Sequence, residues 1–190
     1  MATPDRLNHW RTLTFYDPAK ILRDLKALER DIAAIDDPMV RRLRTPGLKK
    51  YREWRDAAIF TYGMGVAQGK EMLYATEEAS DYDFLVAWHQ EDEHVICPVQ
   101  LKELVPADLN PNATLDSLLQ KLPIYSPGSE TVLAVKLNRR LKMNFAAMTK
   151  PPIPFKQLWF FWSATRDGSR WRIYGDALTQ PGQAEFEHPA

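Results

Sequence analysis

Near residue 70 the hydrophobic period of this chain changes, and the change limits the folds open to it. Upstream, Ile21, Leu22, Leu25, Leu28, Ile32 and Ile35 recur near helical spacing. Such a stripe gives a helix one apolar face. Asp17-Pro18 supplies a cap and a first-turn proline, so a helix is predicted from about Pro18 to Ile35, where Asp36-Asp37-Pro38 ends it. After the Thr45-Pro46-Gly47 turn, a second helix is predicted from Leu48 to about Val66, with Gly63, Gly65 and Gly69 weakening its last part. Downstream, EMLYAT, DFLVAWHQ and HVICPVQLKEL read as three strands. Gln90-Glu91-Asp92-Glu93 is a polar turn that makes the last two a hairpin. Asn112 or Thr114 can cap a short helix through Leu122. TVLAVKL is a nearly continuous apolar run, the mark of a strand buried on both faces. LWFFWSAT and RWRIYGDAL flank the turn Arg166-Asp167-Gly168-Ser169.

This order predicts an α/β fold with a mixed sheet. Residues 1–178 are expected to form a single domain. Residues 1–47 are its N-terminal helical arm, 48–140 its αβββαβ core and 153–178 a C-terminal β-hairpin. The polar segment 179–190 is expected to be a disordered tail.

Charge narrows the function classes. Lys+Arg and Asp+Glu are 25 each, so the net charge is zero. That argues against a uniformly basic nucleic-acid coat. The charge is segregated, however. Val40 to Arg55 holds seven basic residues and one acid, Glu53. Glu71 to Glu93 holds eight acids and no Lys or Arg, and Lys136 to Lys156 six basic residues and no acid. Charge runs are often only solvated faces. Two basic blocks around an acidic one also suit a phosphate-bearing ligand. One cysteine, Cys97, excludes an intrachain disulfide and a CxxC metal site. No secretory signal is visible, and no apolar run approaches the about 18 residues of a membrane span. A cytoplasmic location without membrane contact is the expectation.

Buried strands rarely carry lysine, because an unpaired ammonium there is costly. Yet VICPVQLKELV contains Gln100 and Lys102, two residues apart and therefore on one face of the strand. The hairpin count brings Asp83, at the start of the preceding strand, roughly opposite Lys102, within a residue or two. An Asp, an amide oxygen and a Lys then meet at one sheet end. Oxygen donors of this kind bind Mg²⁺, which polarises phosphate and acidifies water. A nearby Lys can stabilise developing charge.

These residues resemble a family. The order αβββαβ from Leu48 to Leu137, with Asp83 followed after seventeen residues by Gln100-Leu101-Lys102, resembles the PD-(D/E)xK, or restriction endonuclease-like, nuclease superfamily. The resemblance covers about half the chain. It implies a restriction endonuclease-like core and DNA cleavage with Mg²⁺ or Mn²⁺. It also implies that Asp83 and Gln100 are metal ligands, Lys102 assists the attack, and Glu53 on the first core helix is an additional site acid. Two positions depart from the motif: Tyr82 stands where proline is usual, and Gln100 replaces an Asp or Glu. Glu71, Glu77, Glu78 and Asp81 are candidates to restore the missing charge. The basic candidates for DNA contact are Arg41, Arg42, Arg44, Arg139, Arg140 and Lys142.

Other readings stand beside these. Lys102 can snorkel from a strand end, and Asp81 and Asp83 can be turn residues. Glu53 can be a surface acid paired with Lys49 or Lys50. The same fold without catalysis would be a nucleic-acid- or protein-binding module. His89 and His94 face each other without a third ligand at suitable spacing. Aromatics crowd both faces of the last hairpin, which are expected to be covered by protein or by the partner subunit of a homodimer.

Overall fold

The computed structural model describes residues 4–77, 79, 82–122, 130–139 and 153–189. Helices α1 (Pro4–Arg11), α2 (Pro18–Ala33), α3 (Pro38–Arg41) and α4 (Lys49–Gln68) come first. Strands β1 (Met72–Ala75), β2 (Phe84–Gln90) and β3 (Glu93–Leu104) follow, then α5 (Leu115–Lys121). The chain continues with β4 (Val132–Leu137), β5 (Gln157–Ser163), β6 (Arg170–Gly175) and β7 (Gly182–Glu187).

Three helix starts are written in local chemistry. The Asp17 carboxylate accepts the Ala19 amide at 2.8 Å, and the Asp37 carboxylate accepts the Met39 amide at 2.7 Å. Each acceptor precedes a proline at the first helical position, which has no amide to leave unpaired. Thr114 and Ser117 cap α5 reciprocally. The glycines do not stop α4, which runs to Gln68 and ends on Gly69 at φ 63°, a left-handed cap that glycine adopts without strain.

The seven strands form one sheet in chain order. β1, β2 and β3 are antiparallel neighbours. β3, β4 and β5 run parallel, and β6 and β7 return to antiparallel pairing. The parallel step from β3 to β4 passes through α5, since parallel neighbours need a crossover. Every residue of β4 is buried, as its unbroken apolar run predicts. Pro98 pairs with Leu85 of β2, whereas pairing with β4 begins only at Val99. The first half of β3 is thus a sheet edge on the β4 side, where proline's missing donor costs no ladder bond.

The helices divide between the two faces of the sheet. Leu22 of α2 and Ile59, Phe60 and Met64 of α4 pack with Phe84, Val99, Ala134, Phe161 and Ile173 in one cluster. Leu119 of α5 packs with Leu133, Val135 and Phe160 in another, and Trp10 of α1 with Tyr82 and Leu85 in a third.

One expectation is corrected. The tail was expected to be disordered from residue 179, but it supplies β7, so the C-terminal extension is three strands rather than a hairpin. GQAEFE buries one large side chain, Phe186, and exposes most of the rest, a pattern too polar to read as a core strand. Phe186 belongs to the main cluster, its ring 5.6 Å from that of Tyr62. It packs so closely on α4 that a Cβ on Gly63 would lie 2.5 Å from the ring. Gly63→Val is therefore expected to destabilise the protein by about 1–3 kcal/mol through overpacking. Denaturation midpoints check this, and a Phe186→Leu background should recover part of the loss.

Candidate functional site

The β2–β3 register decides where the motif residues meet. Gln90 pairs with Glu93, and Phe84 with Val99, so Asp83 stands opposite Gln100, two residues short of Lys102. Gln100 Nε2 donates to Asp83 Oδ2 at 2.7 Å, and the Leu101 amide donates to the same oxygen at 2.6 Å. Gln100 and Lys102 pair in β4 with Leu133 and Val135. Both of these belong to the α5-side cluster, so strand parity puts Gln100 and Lys102 on that face. Gln100 is buried, and Lys102 and Asp83 are partly exposed.

Asp83 also lines a cavity of about 550 Å³ beneath the N-terminal half of α4, with Lys49, Lys50, Glu53, Glu77 and Leu101 among its other walls. The structure thus brings Glu53 to the same cavity as Asp83. It also pairs Glu53 with Lys49, one turn earlier, at 3.3 Å. Of the acids considered as compensation for Gln100, Glu77 lines this cavity, its Oε1 2.7 Å from His9 Nε2. Glu78 and Asp81 lie outside the described residues.

The carboxylates of Asp83, Glu53 and Glu77 line one cavity, and the amide of Gln100 touches Asp83 through its nitrogen. Among the described residues, no group of three or more His, Cys, Asp or Glu could hold a metal ion. His89 and His94 stack across the hairpin with ring centroids 5.0 Å apart. They belong to no such group.

The basic candidates are placed unevenly. Arg41, Arg42, Arg44 and Arg139 line a second, larger cleft on the other side of α4. Arg42 is bonded to Asp108, and Arg44 to Glu103. Arg139 spends its guanidinium on three backbone carbonyls, of Val105, Asn110 and Ala113, at 2.6–2.8 Å. Its role is to hold the β3–α5 loop. Arg140 and Lys142 lie outside the described residues.

The wall of this cleft contains a charge network that the sequence reading missed. Lys136 Nζ donates to Asp56 Oδ1 at 2.6 Å, both side chains being 5% exposed. Arg55 reaches the same oxygen at 3.4 Å and Glu29 Oε1 at 2.6 Å. Lys136 Nζ also lies 5.8 Å from the centre of the Trp171 ring, within cation–π range. Burial alone would push the Asp56 carboxyl up, but Lys136 and Arg55 together hold it below the usual carboxylate value. A signal was present: Lys136 interrupts a strand whose pattern demands burial on both faces. Its partner lies 80 residues away, beyond any local pattern.

Cys97 is half-buried, and burial pushes its thiol up to about 12. Thiolate is the reactive form, so labelling of native protein by a disulfide reagent at neutral pH is expected to be slow and to become fast on unfolding.

No protein-family model matches the chain, and neither the curated proteins nor the solved structures yield a match. Among the described residues, no helix is long and apolar enough to cross a membrane.

Proposed function

We propose that this protein hydrolyses phosphodiester bonds in DNA with the help of Mg²⁺ or Mn²⁺. The observation that carries the reading is the 2.7 Å contact between Gln100 and Asp83, seventeen residues apart in sequence. Asp83 and Gln100 would hold the cation, Asp83 being reached from the α4-side cavity that Glu53 also lines and Gln100 lying on the α5 face of β3. When bound, such a cation polarises the phosphate and lowers the pKa of a water. Lys102 lies on the Gln100 side of β3, two residues further along. Its ammonium would orient the attacking water or stabilise the charge that develops on the phosphate. Arg41, Arg42 and Arg44 would hold the DNA by its phosphates.

A second reading is a nuclease-like fold without catalysis that binds nucleic acid or protein. One observation favours it: Oδ2 of Asp83 already accepts two hydrogen bonds, one from the backbone of β3, which is what a purely structural carboxylate does. Incubation with single-stranded and duplex DNA, with either cation or with EDTA, separates the two. Cation-dependent cleavage is the expected result. DNA binding without cleavage by wild type or by Gln100→Glu would leave the binding module.

A further inference from the structure

The β2–β3 turn and the cleft on the β4–β6 side of α4 carry opposite charge. The turn is tight. Gln90 pairs with Glu93, so only Glu91 and Asp92 lie between the strands. Glu91 stands at φ 54°, where glycine or asparagine is the usual residue. An acid is thus kept at a position that disfavours it, and backbone strain of this kind gathers at functional sites. Every residue from His89 to His94 is exposed. Glu91, Asp92 and Glu93 have no basic partner among the described residues. The ammonium of nearby Lys70 is spent on Gln90, at 3.0 Å, and on the Trp88 ring. The tip therefore shows three unpaired carboxylates to solvent.

The cleft has the complementary surplus. Its volume is about 1070 Å³, and nine Lys or Arg line it against three Asp or Glu, in a chain of zero net charge. The three acids are already engaged: Glu29 with Arg55, Asp108 with Arg42, and Asp167 within its own turn. Lys26 and Arg166 line the cleft without an acidic partner among the described residues. The segregation read from the sequence thus becomes two surfaces, one protruding and one hollow.

These surfaces do not meet within one molecule. Glu93 begins β3 and Leu104 ends it, twelve residues in all, and Pro106, just beyond, lines the cleft. An extended strand of that length separates the tip from the cleft by roughly 36 Å.

We infer that the cleft receives the β2–β3 tip of a second copy of this chain, with Glu91, Asp92 and Glu93 against Lys26 and Arg166. A two-fold axis would let each copy give its tip to the other, closing a dimer with two equal contacts. Docking covers the cleft that Arg41, Arg42 and Arg44 line, the residues proposed to hold DNA, so the tip and DNA compete. The inference stands on charge and placement and does not rest on hydrolysis.

Sedimentation velocity tests it. At about 0.1 M salt the protein should associate as its concentration rises. At about 1 M, where the Debye length falls from ~10 to ~3 Å, association should weaken by about tenfold or more. Glu91→Asn/Asp92→Gly should be monomeric at low salt. Asn-Gly favours a tight hairpin turn, so that loss would not come from a broken hairpin. The decisive sample is a mixture. Glu91→Lys/Glu93→Lys and Lys26→Glu/Arg166→Glu should each be monomeric alone and should associate with each other, because both contacts then join opposite charges. Wild type that stays monomeric at low salt, association that these variants leave intact, or a mixture that stays monomeric would overturn the proposal. A labelled oligonucleotide bound through Lys26 and Arg166 by a protein that never associates would assign the cleft to nucleic acid instead. Asp83→Asn should associate like wild type. Loss of cleavage with association intact counts against the hydrolytic reading alone, and cleavage by a protein that never associates counts against this inference alone.

Discussion

Asp56→Ala is expected to destabilise the protein by about 3–5 kcal/mol, because it strands a buried ammonium. Lys136 Nζ loses its 2.6 Å partner, and its side chain is only 5% exposed. Arg55 retains Glu29, so most of the cost falls on Lys136. Chemical denaturation of the variant measures it. A loss below about 1 kcal/mol would mean that the pair behaves like a solvated surface bridge. The double change Asp56→Leu/Lys136→Met should recover most of the loss, since apolar replacement of a buried pair is often neutral or better. The pH dependence follows from the direction of the Asp56 shift. Its carboxyl titrates lower in the folded protein than in the unfolded chain. Its contribution is therefore complete above the unfolded value of about 3.9 and is lost as pH falls through the lower folded value. Asp56→Asn lacks this contribution, so the stability gap between wild type and Asp56→Asn should narrow as the solution is acidified.

Asp83→Asn is expected to abolish cleavage while preserving the fold. Asparagine keeps an oxygen that can accept the Leu101 amide, but it has no charge to offer a cation. Asp83→Ala is the poorer test. It leaves the Leu101 amide and the Gln100 side chain without the oxygen they share, and an unmade buried hydrogen bond costs about 1–3 kcal/mol. Lys102→Ala should lower the rate by ~10²–10³ and spare cation binding. Gln100→Glu puts a second carboxylate 2.7 Å from Asp83 Oδ2, where the wild type has a hydrogen bond. Two carboxylates that close cannot both ionise without help. The variant should therefore be less stable than wild type in EDTA and gain more in thermal midpoint from Mg²⁺. Equal midpoint shifts in the two proteins would argue against a cation at this pair.

Much of the scaffold was legible from residues close together in sequence. The stripe Ile21–Ile35 and the Asp-Pro caps specify their helices locally, because a helix closes its own hydrogen bonds within four residues. The apolar run of β4 implies cover on both faces, which α4 and α5 provide. Period-two parity set Gln100 and Lys102 on one side of β3, and the β2–β3 hairpin is short enough for counting to bring Asp83 near them.

Three things needed the folded chain. β7 hides in a polar sequence because only Phe186 among its side chains is fully buried, and its strand character comes from pairing with β6. The segregation of charge was readable, but not its use: Arg139 turned inward to three carbonyls, while Lys26 and Arg166, ordinary in sequence, arrived at one cleft. Lys136 looked like a flaw in a buried strand until the fold set Asp56 beside it. Helices, strands and tight turns follow from neighbours within a few residues, where propensity and periodicity act. An ion pair or a cleft joins residues tens of positions apart, and its energy exists only after the sheet has been assembled.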